Sequence, residues 1–450
     1  MKKIMLLIMA FSLSLTLAAC GDDSSGDSKI VLSYADWGSA EMNQALIDVY
    51  EEKNPNVEVN LRKDITGTGG DFTANLLNAQ QAGALPDVFA IDNVPTGYSN
   101  GMLLDISEYW DADPDTEAIY PNIKETAVYG EGRYAVPSFQ FIKGIMLNLN
   151  IFEEYNITVP DKDWTYDEFV QIAKEIRQAG KSDIVYGIDP WYGDLDFAAI
   201  WPTQDFEDVG YQTWDGEQFN FTSDAWIEAF EARNDLMSQD VVAGFTEEEM
   251  EVLGDVWPWY NGNIGMRIDA TFNLWMVEGM REENGIEVGF WPYPGGDAGQ
   301  FPPTILDYQV VSSQTDHPEE AYKLAKFMTF GKEGWMTRLD LMEATHEDDD
   351  PDNDAVMLDR FPVANYPEVW DRTSDYMLYV EGLQQSVNLL EYSKPDVDKW
   401  LPGYKAFWEW VSSEENDYWT KINDGEVSPA GFAPEWESKA NELVNEALED

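Results

Sequence analysis

Four short stretches set carboxylate, amide or hydroxyl side chains at what read as loop positions: Asp36-Trp37-Gly38, Asp92-Asn93, Asp189-Pro190-Trp191-Tyr192 and Asp269-Ala270-Thr271. Two of them add aromatic rings. Such sets suit one kind of chemistry that makes and breaks no bond. Carboxylates and amides hydrogen-bond hydroxyl groups around the edge of a ring-shaped solute, the charge-assisted bonds being the stronger. An indole or phenol face covers the apolar C–H face of the same ring. Asp and Asn are also ordinary turn residues, so the bland reading of each stretch is a turn. Phe139-Gln140, Trp291 and Tyr308 extend the set, with core packing an equal alternative for Tyr308. The candidate contacts are thus Trp37, Asp92, Asn93, Phe139, Gln140, Trp191, Tyr192, Asp269, Thr271, Trp291 and Tyr308. Trp257-Pro258-Trp259-Tyr260 is a further aromatic cluster, read first as core or a brace and second as a stacking platform.

Covalent chemistry finds little footing. The chain has two histidines, His317 and His346, and neither has a partner at ligand spacing. His317 precedes a proline at a helix start, where capping explains it. Neither His-Glu-x-x-His nor Gly-x-Ser-x-Gly occurs. Thr66-Gly67-Thr68-Gly69-Gly70 lacks the lysine of a phosphate loop and reads as a turn, with Thr68 within reach of a ligand hydroxyl. The acidic run Asp348 to Asp354 suggests calcium, but counted from Asp350 the glycine position holds Ala355 and the final glutamate position holds Phe361. The run Asp111 to Glu117 fails likewise. No enzyme, cofactor or metal is expected. The rival reading is a secreted glycoside hydrolase, whose two carboxylates would stand about 5–10 Å apart. A surface adhesin is a third.

The elements that must position these residues follow from periodicity. Ile30-Val31-Leu32 is a strand signal, and Met42, Ala45, Leu46, Val49 and Tyr50 recur at helical spacing up to Asn54-Pro55. Val57, Val59 and Leu61 alternate as a strand, a helix carries Phe72, Leu76 and Leu77, and Asp87 to Ile91 is the next strand. This βαβαβ order predicts a parallel α/β sheet. Later, Thr165 and Glu168 form a capping box before a helix that Gly180 ends, and Val185–Ile188, Ile264–Ile268, Val288–Phe290 and Gln309–Val311 read as strands. Pro318 opens another helix, and the segment from Pro434 reads as the last one. The grammar predicts two α/β lobes with a cleft between them, and loops beyond the carboxyl ends of the strands line such a cleft.

Lys2 and Lys3, the apolar run Ile4 to Leu17, and Leu17-Ala18-Ala19-Cys20 make a secretory signal in its usual order. The run is shorter than the ~20 residues a spanning helix needs. Leu-Ala-Ala-Cys resembles a bacterial lipobox, which implies cleavage after residue 19 and lipid on Cys20, the chain's only cysteine. Residues 20–28 read as a Gly/Ser/Asp tether. A lone cysteine closes no disulfide, so the mature domain must rest on its core.

The formal charge is −59, from 27 basic and 86 acidic residues. That excludes nucleic acid or an anionic bilayer surface as partners. A solvated acidic surface suited to high salt is the favoured reading, and a cationic partner such as a polyamine the alternative. Hydrophobic residues at 44 % and aromatics at 14 % exclude a disordered chain.

Six stretches carry a resemblance. They are Glu52 to Val59, Ala82 to Phe89 with its Gly-x-x-Pro-Asp-Val turn, Tyr134 to Pro137 followed by Met146 to Phe152, Trp164 to Phe169, Val288 to Gly296, and His317 to Tyr322. In this order, from Glu51 to Phe330, they resemble the extracellular solute-binding proteins of carbohydrate ABC importers, the maltose-binding-protein-like group. Ala270 and Phe272 stand where members often have Gly and Trp. The resemblance implies a periplasmic-binding-protein type II-like fold, two α/β lobes around a central ligand cleft. Lobe 1 would hold 29–137 with about 301–340, and lobe 2 138–300 with about 341–450. It also implies a monomer that closes on a sugar or oligosaccharide and passes it to permease subunits. With the lipobox, the expected place is the outer face of the cell membrane.

Overall fold

The computed structural model describes residues 29–189, 211–254, 256–346 and 358–449. Three strands open the fold, β1 (Ile30–Ala35), β2 (Val57–Leu61) and β3 (Val88–Ile91). β1 lies between the other two and parallel to both. Helices Ala40–Lys53 and Gly69–Gln81 make the connections. The first is started by Ser39, whose hydroxyl accepts the Met42 amide, and buries Leu46, Ile47 and Tyr50 as their spacing requires.

After the short hairpin β4 (Val128–Tyr129) and β5 (Gly132–Arg133) comes β6 (Val136–Asn148), buried along its whole length. The later strands are β7 (Tyr186–Asp189), β8 (Ile264–Ala270), β9 (Val288–Pro292), β10 (Pro303–Val311) and β11 (Lys394–Pro395). The sheet order is β2-β1-β3-β10-β6-β8-β7, with β11 on β10 and β9 on β6. β6 is shared by the two halves. From Val136 to Ile142 it pairs with β10, and from Lys143 to Asn148 with β8 and β9. Gly144 sits at the changeover because a Cβ there would stand 2.5 Å from the Trp291 carbonyl oxygen. In the first half of β6 the β10 register slips between Leu306 and Tyr308. Ser138 and Phe139 of β6 there oppose the single residue Asp307, a bulge of the kind that re-aims a side chain.

The helix Tyr166–Gly180 has the capping box expected at Thr165 and Glu168. Three expectations differ from what is observed. The last helix is Pro429–Glu449, with Pro434 inside it. His317 holds the N-cap position of helix Pro318–Met328, but its side chain makes no capping bond. The lobe boundary placed near residue 340 falls within helix Lys332–His346, which packs on helix Ala40–Lys53. Beyond it, the Tyr120 amide donates to the Val363 carbonyl and the Gln140 and Phe361 backbones exchange hydrogen bonds. The chain therefore stays with the first lobe past residue 361, where a boundary read from the resemblance had no periodicity to correct it.

The largest core fills the first lobe and runs on to Ile264, Val288 and Phe290. A second core lies around Trp164, Phe169, Ile268 and Trp291. A third, around Trp436, joins helix Asp224–Met237 to helices Tyr404–Val411 and Pro429–Glu449. Aromatic rings dominate it: those of Phe432 and Phe407 lie 4.6 and 5.8 Å from that of Trp436. Among the described residues no helix is long and apolar enough to cross a membrane.

Candidate functional site

β1 and β3 end side by side, so the loops after them share one edge of the sheet. Asp36 is consumed in shaping the first loop. Its Oδ1 accepts the Gly38 amide at 2.6 Å and the Asn43 amide group at 3.4 Å, and its Oδ2 accepts from the Tyr34 hydroxyl and Gln309 Nε2. That leaves Trp37 half-buried, held edge-on by Phe72 at 5.3 Å between centroids. In the second loop Asn93 caps helix Val94–Ser99 by accepting the Thr96 amide at 3.0 Å, and its Nδ2 donates to the Asp398 carbonyl at 3.1 Å. Asp92 beside it is half-buried, with no hydrogen bond or ion pair among the described residues. Gly69 closes over it, close enough that a Cβ would stand 3.8 Å from the carboxylate.

These loops meet the segment Asp396 to Trp400. The Val94 amide donates to the Lys399 carbonyl at 2.8 Å. The Lys399 ammonium pairs with Asp307, the residue at the bulge, and lies 5.7 Å from the centroid of the Trp37 ring. Burial opposes that charge, but Asp307, Asp396 and Asp92 hold the lysine pKa above its ordinary value. Asp396 is buried, and its Oδ1 accepts the Leu306 amide at 3.2 Å. Burial and the nearby Asp398 raise its pKa although Lys399 lowers it. The result is one ammonium paired with Asp307, within electrostatic reach of Asp396 and Asp92 and beside an indole, next to the bulge in the shared strand. Such a site can give and take hydrogen bonds in several directions while offering a flat apolar face.

Sequence reasoning missed Asp307, Asp396 and Lys399. Asp307 had a signal: it is the one charge in the apolar run Pro303 to Val311. Lys399 had none, because only the fold brings it to Asp307.

The other expected contacts lie elsewhere and have structural work. Asp269 is buried in an ion-pair triad, where Arg267 pairs with it and with Asp189 at 2.9 Å and stacks over Trp257. Its second oxygen accepts the Ala270 amide and Asn273 Nδ2. With both oxygens engaged, Asp269 is a core carboxylate and not the open contact expected. Thr271 is buried, and its hydroxyl accepts the Ile142 amide at 3.1 Å, tying β6 to the turn after β8. Gln140 is buried and donates to the Pro362 carbonyl at 2.6 Å. Phe139 is buried with the Arg338 and Arg360 guanidinium groups 5.0 and 5.1 Å from its ring centroid. Trp291 does not face the cleft. It is 1 % exposed in the second core, where its indole N–H donates to the Pro160 carbonyl and Lys162 lies over the ring. Tyr308 is fully buried in the first core. In the aromatic cluster Trp259 is fully buried while Trp257 carries Arg267, which fits the core and brace reading. Trp191, Tyr192 and the run Asp348 to Asp354 lie outside the described residues. In the other acidic run Lys326 bridges Asp113 and Asp115.

A curated relative, an ABC transporter extracellular-binding protein of Pyrococcus horikoshii, is 23 % identical over 307 residues, 65 % of this chain and 66 % of that relative. The chain thus spans just under two thirds of its length. An ABC substrate-binding protein of Listeria monocytogenes, solved with cycloalternan, superposes with a TM-score of 0.65 at 18 % identity, covering 93 % of this chain and 99 % of that one. A cyclic alpha-maltosyl-1,6-maltose binding protein of Arthrobacter globiformis gives 0.67 at 16 % identity, covering 93 % and 100 %. At these identities the likeness is one of fold: two α/β lobes of the periplasmic-binding type II kind. The model of the bacterial extracellular solute-binding proteins matches residues 36–331, from the Asp36 loop to the end of helix Pro318–Met328 and just beyond. By that match the chain belongs to the bacterial extracellular solute-binding proteins.

Proposed function

We propose that the protein is the receptor of an ABC importer and captures a sugar or oligosaccharide between its lobes. The observation that carries this reading is the half-buried Trp37 face beside Lys399, the carboxylates of Asp92 and Asp307, and the buried carboxyl of Asp396. Indole and carboxylate together match a solute that is apolar on its faces and hydroxylated on its rim. The two solved relatives support it, since their own ligands, cycloalternan and a cyclic maltosyl-maltose, are oligosaccharides. Binding energy shifts an open–closed equilibrium about the shared strand β6, and permease subunits then take the closed form. The receptor acts as a monomer and transforms nothing. Cys20 carries the lipid that holds it at the outer face of the membrane, on the periplasmic side in a two-membrane cell, with residues 20–28 as tether.

The test is calorimetric titration of the chain from residue 21 onward against neutral oligosaccharides, with native mass spectrometry for a co-purified solute. Trp37→Ala and Asp92→Asn should each weaken binding at least tenfold, about 1.4 kcal/mol or more. Binding of amines alone, turnover of the oligosaccharide, or unchanged affinity in both variants defeats the reading.

A further inference from the structure

The interior carries the opposite charge from the chain. Among the described residues six basic and four acidic side chains are buried, in a sequence with 27 basic and 86 acidic residues. Four of the buried cations donate to oxygen. Arg133 reaches the Thr126 carbonyl, Arg177 reaches Asp240, Arg233 reaches Asn234, and Arg267 reaches Asp189. Arg338, on helix Lys332–His346, does not. It is 8 % exposed and has no hydrogen bond or ion pair among the described residues. Its neighbours are the Phe139 and Trp335 rings, at 5.0 and 5.8 Å. Burial, then the like charge of Arg360, press its pKa down to about 10 against the opposing pull of Asp36 and Asp359, which still leaves it a cation at neutral pH.

The Arg338 guanidinium nitrogens are open to the adjoining space rather than sealed in protein, so what accepts from them there is water or an anion. Here the side chain lines a cavity of about 130 Å³ with Ser39, Asn43, Met342, Arg360 and one carboxylate, Asp359, which is engaged by Arg360. That volume is far above the ~10–15 Å³ that admits one water. Arg360 occupies two of its nitrogens on Asp359, at 2.8 and 3.1 Å. Its third, Nη1, points toward Gly38, whose Cβ would stand 3.5 Å away. The N-terminus of helix Ala40–Lys53 opens on the same space through its cap residue Ser39, adding the positive end of a helix dipole.

We propose that this cavity is an anion site, in which a small oxyanion of the carboxylate or sulfate kind pairs with Arg338 and the free edge of Arg360. Two sources fit that chemistry. One is a free anion that completes the first lobe. The other is an acidic group on the captured solute, because Ser39, which lines the cavity, ends the short loop that carries Trp37. The second source rests on the solute-capture reading and the first does not.

The test uses the chain from residue 21 onward at a constant 0.5 M KCl, so that general screening is fixed. Sodium sulfate and sodium acetate are titrated through the millimolar range while thermal unfolding is followed. Neutral and uronic-acid oligosaccharides are titrated separately by calorimetry. A saturable rise in Tm of roughly 1–4 °C with the free anions, absent in Arg338→Gln, supports the site and the first source. No response to free anions, but at least tenfold tighter binding of uronic-acid than neutral oligosaccharides, with the preference lost in Arg338→Gln, supports the site and the second. Met342→Glu places a carboxylate in the cavity wall and should lose either response, so it decides the matter if Arg338→Gln fails to fold. A parent protein with neither response, or a response that both variants keep, overturns the proposal while leaving neutral-sugar capture standing.

Discussion

Asp396 gives the sharpest test of the electrostatics at the site. Its carboxyl is 2 % exposed, and Oδ1 accepts the Leu306 amide at 3.2 Å. Burial, with Asp398 nearby, pushes its pKa from 3.8 up to about 8 despite Lys399. In the unfolded chain the group ionises near 3.9. Between those values the native state holds a proton that the unfolded state has released. Stability from this group is therefore fully present below about pH 4, declines as pH rises, and is gone above about pH 8. The slope is at most about 1.4 kcal/mol per pH unit, or about 2.7 kcal/mol between pH 5 and pH 7.

Asp396→Asn replaces the protonated acid with an amide of nearly the same shape. The amide oxygen can still accept the Leu306 N–H, and the proton is no longer linked to folding. Urea unfolding of both proteins at pH 4, 5, 6 and 7, at one ionic strength, should show stabilities close at pH 4 that then diverge in favour of the variant, by about 1.5 kcal/mol at pH 5 and about 4 kcal/mol at pH 7. Acids away from this cluster titrate alike in the two chains, so the difference reports Asp396 together with its neighbours Asp398 and Lys399. Parallel pH profiles would refute the reasoning, because they would mean that the native carboxyl ionises as freely as the unfolded one.

Other expectations concern the fold at large. Arg267→Met strands Asp189 and Asp269 in the core without their cation and should cost about 3–5 kcal/mol in denaturant unfolding. Thr165→Ala removes the hydroxyl half of the capping box on helix Tyr166–Gly180 and should cost about 1 kcal/mol by the same measurement. The parent chain should unfold at a higher temperature in 2 M than in 0.1 M KCl, since screening shortens the Debye length from about 10 Å to under 3 Å. A midpoint that ignores salt would count against a surface adapted to it.

The elements that periodicity defines were legible in the residues. The βαβαβ opening, the Thr165–Glu168 box and the strands around Ile264 and Val288 stand where alternation and helical spacing put them. β6 was not legible as one strand, because a run buried on every face has no alternation to read. The candidate site was half legible. The loops after β1 and β3 were found from residue type and position, and Trp37 and Asp92 remain in it. Asp269 could have been set aside from sequence, since Arg267 lies two residues before it on the same strand face. Lys399 and Asp396 were out of reach, because nothing local ties them to residues more than 300 positions earlier.

The acidic exterior and the cationic interior are one constraint seen from two sides. With 27 basic residues against 86 acidic ones, each cation taken into the core leaves the surface with fewer to offset its carboxylates. Loss of a buried cation then acts twice, through the local partners it abandons and through one more unit of net negative charge. The two effects respond differently to salt. Surface repulsion is relieved within a few hundred millimolar, whereas a buried pair is screened little. The Arg267→Met defect should therefore shrink only slightly between 0.1 and 2 M KCl while both proteins gain stability in parallel. If high salt restored the variant to parental stability, Arg267 would matter for the charge of the whole chain and not for Asp189 and Asp269.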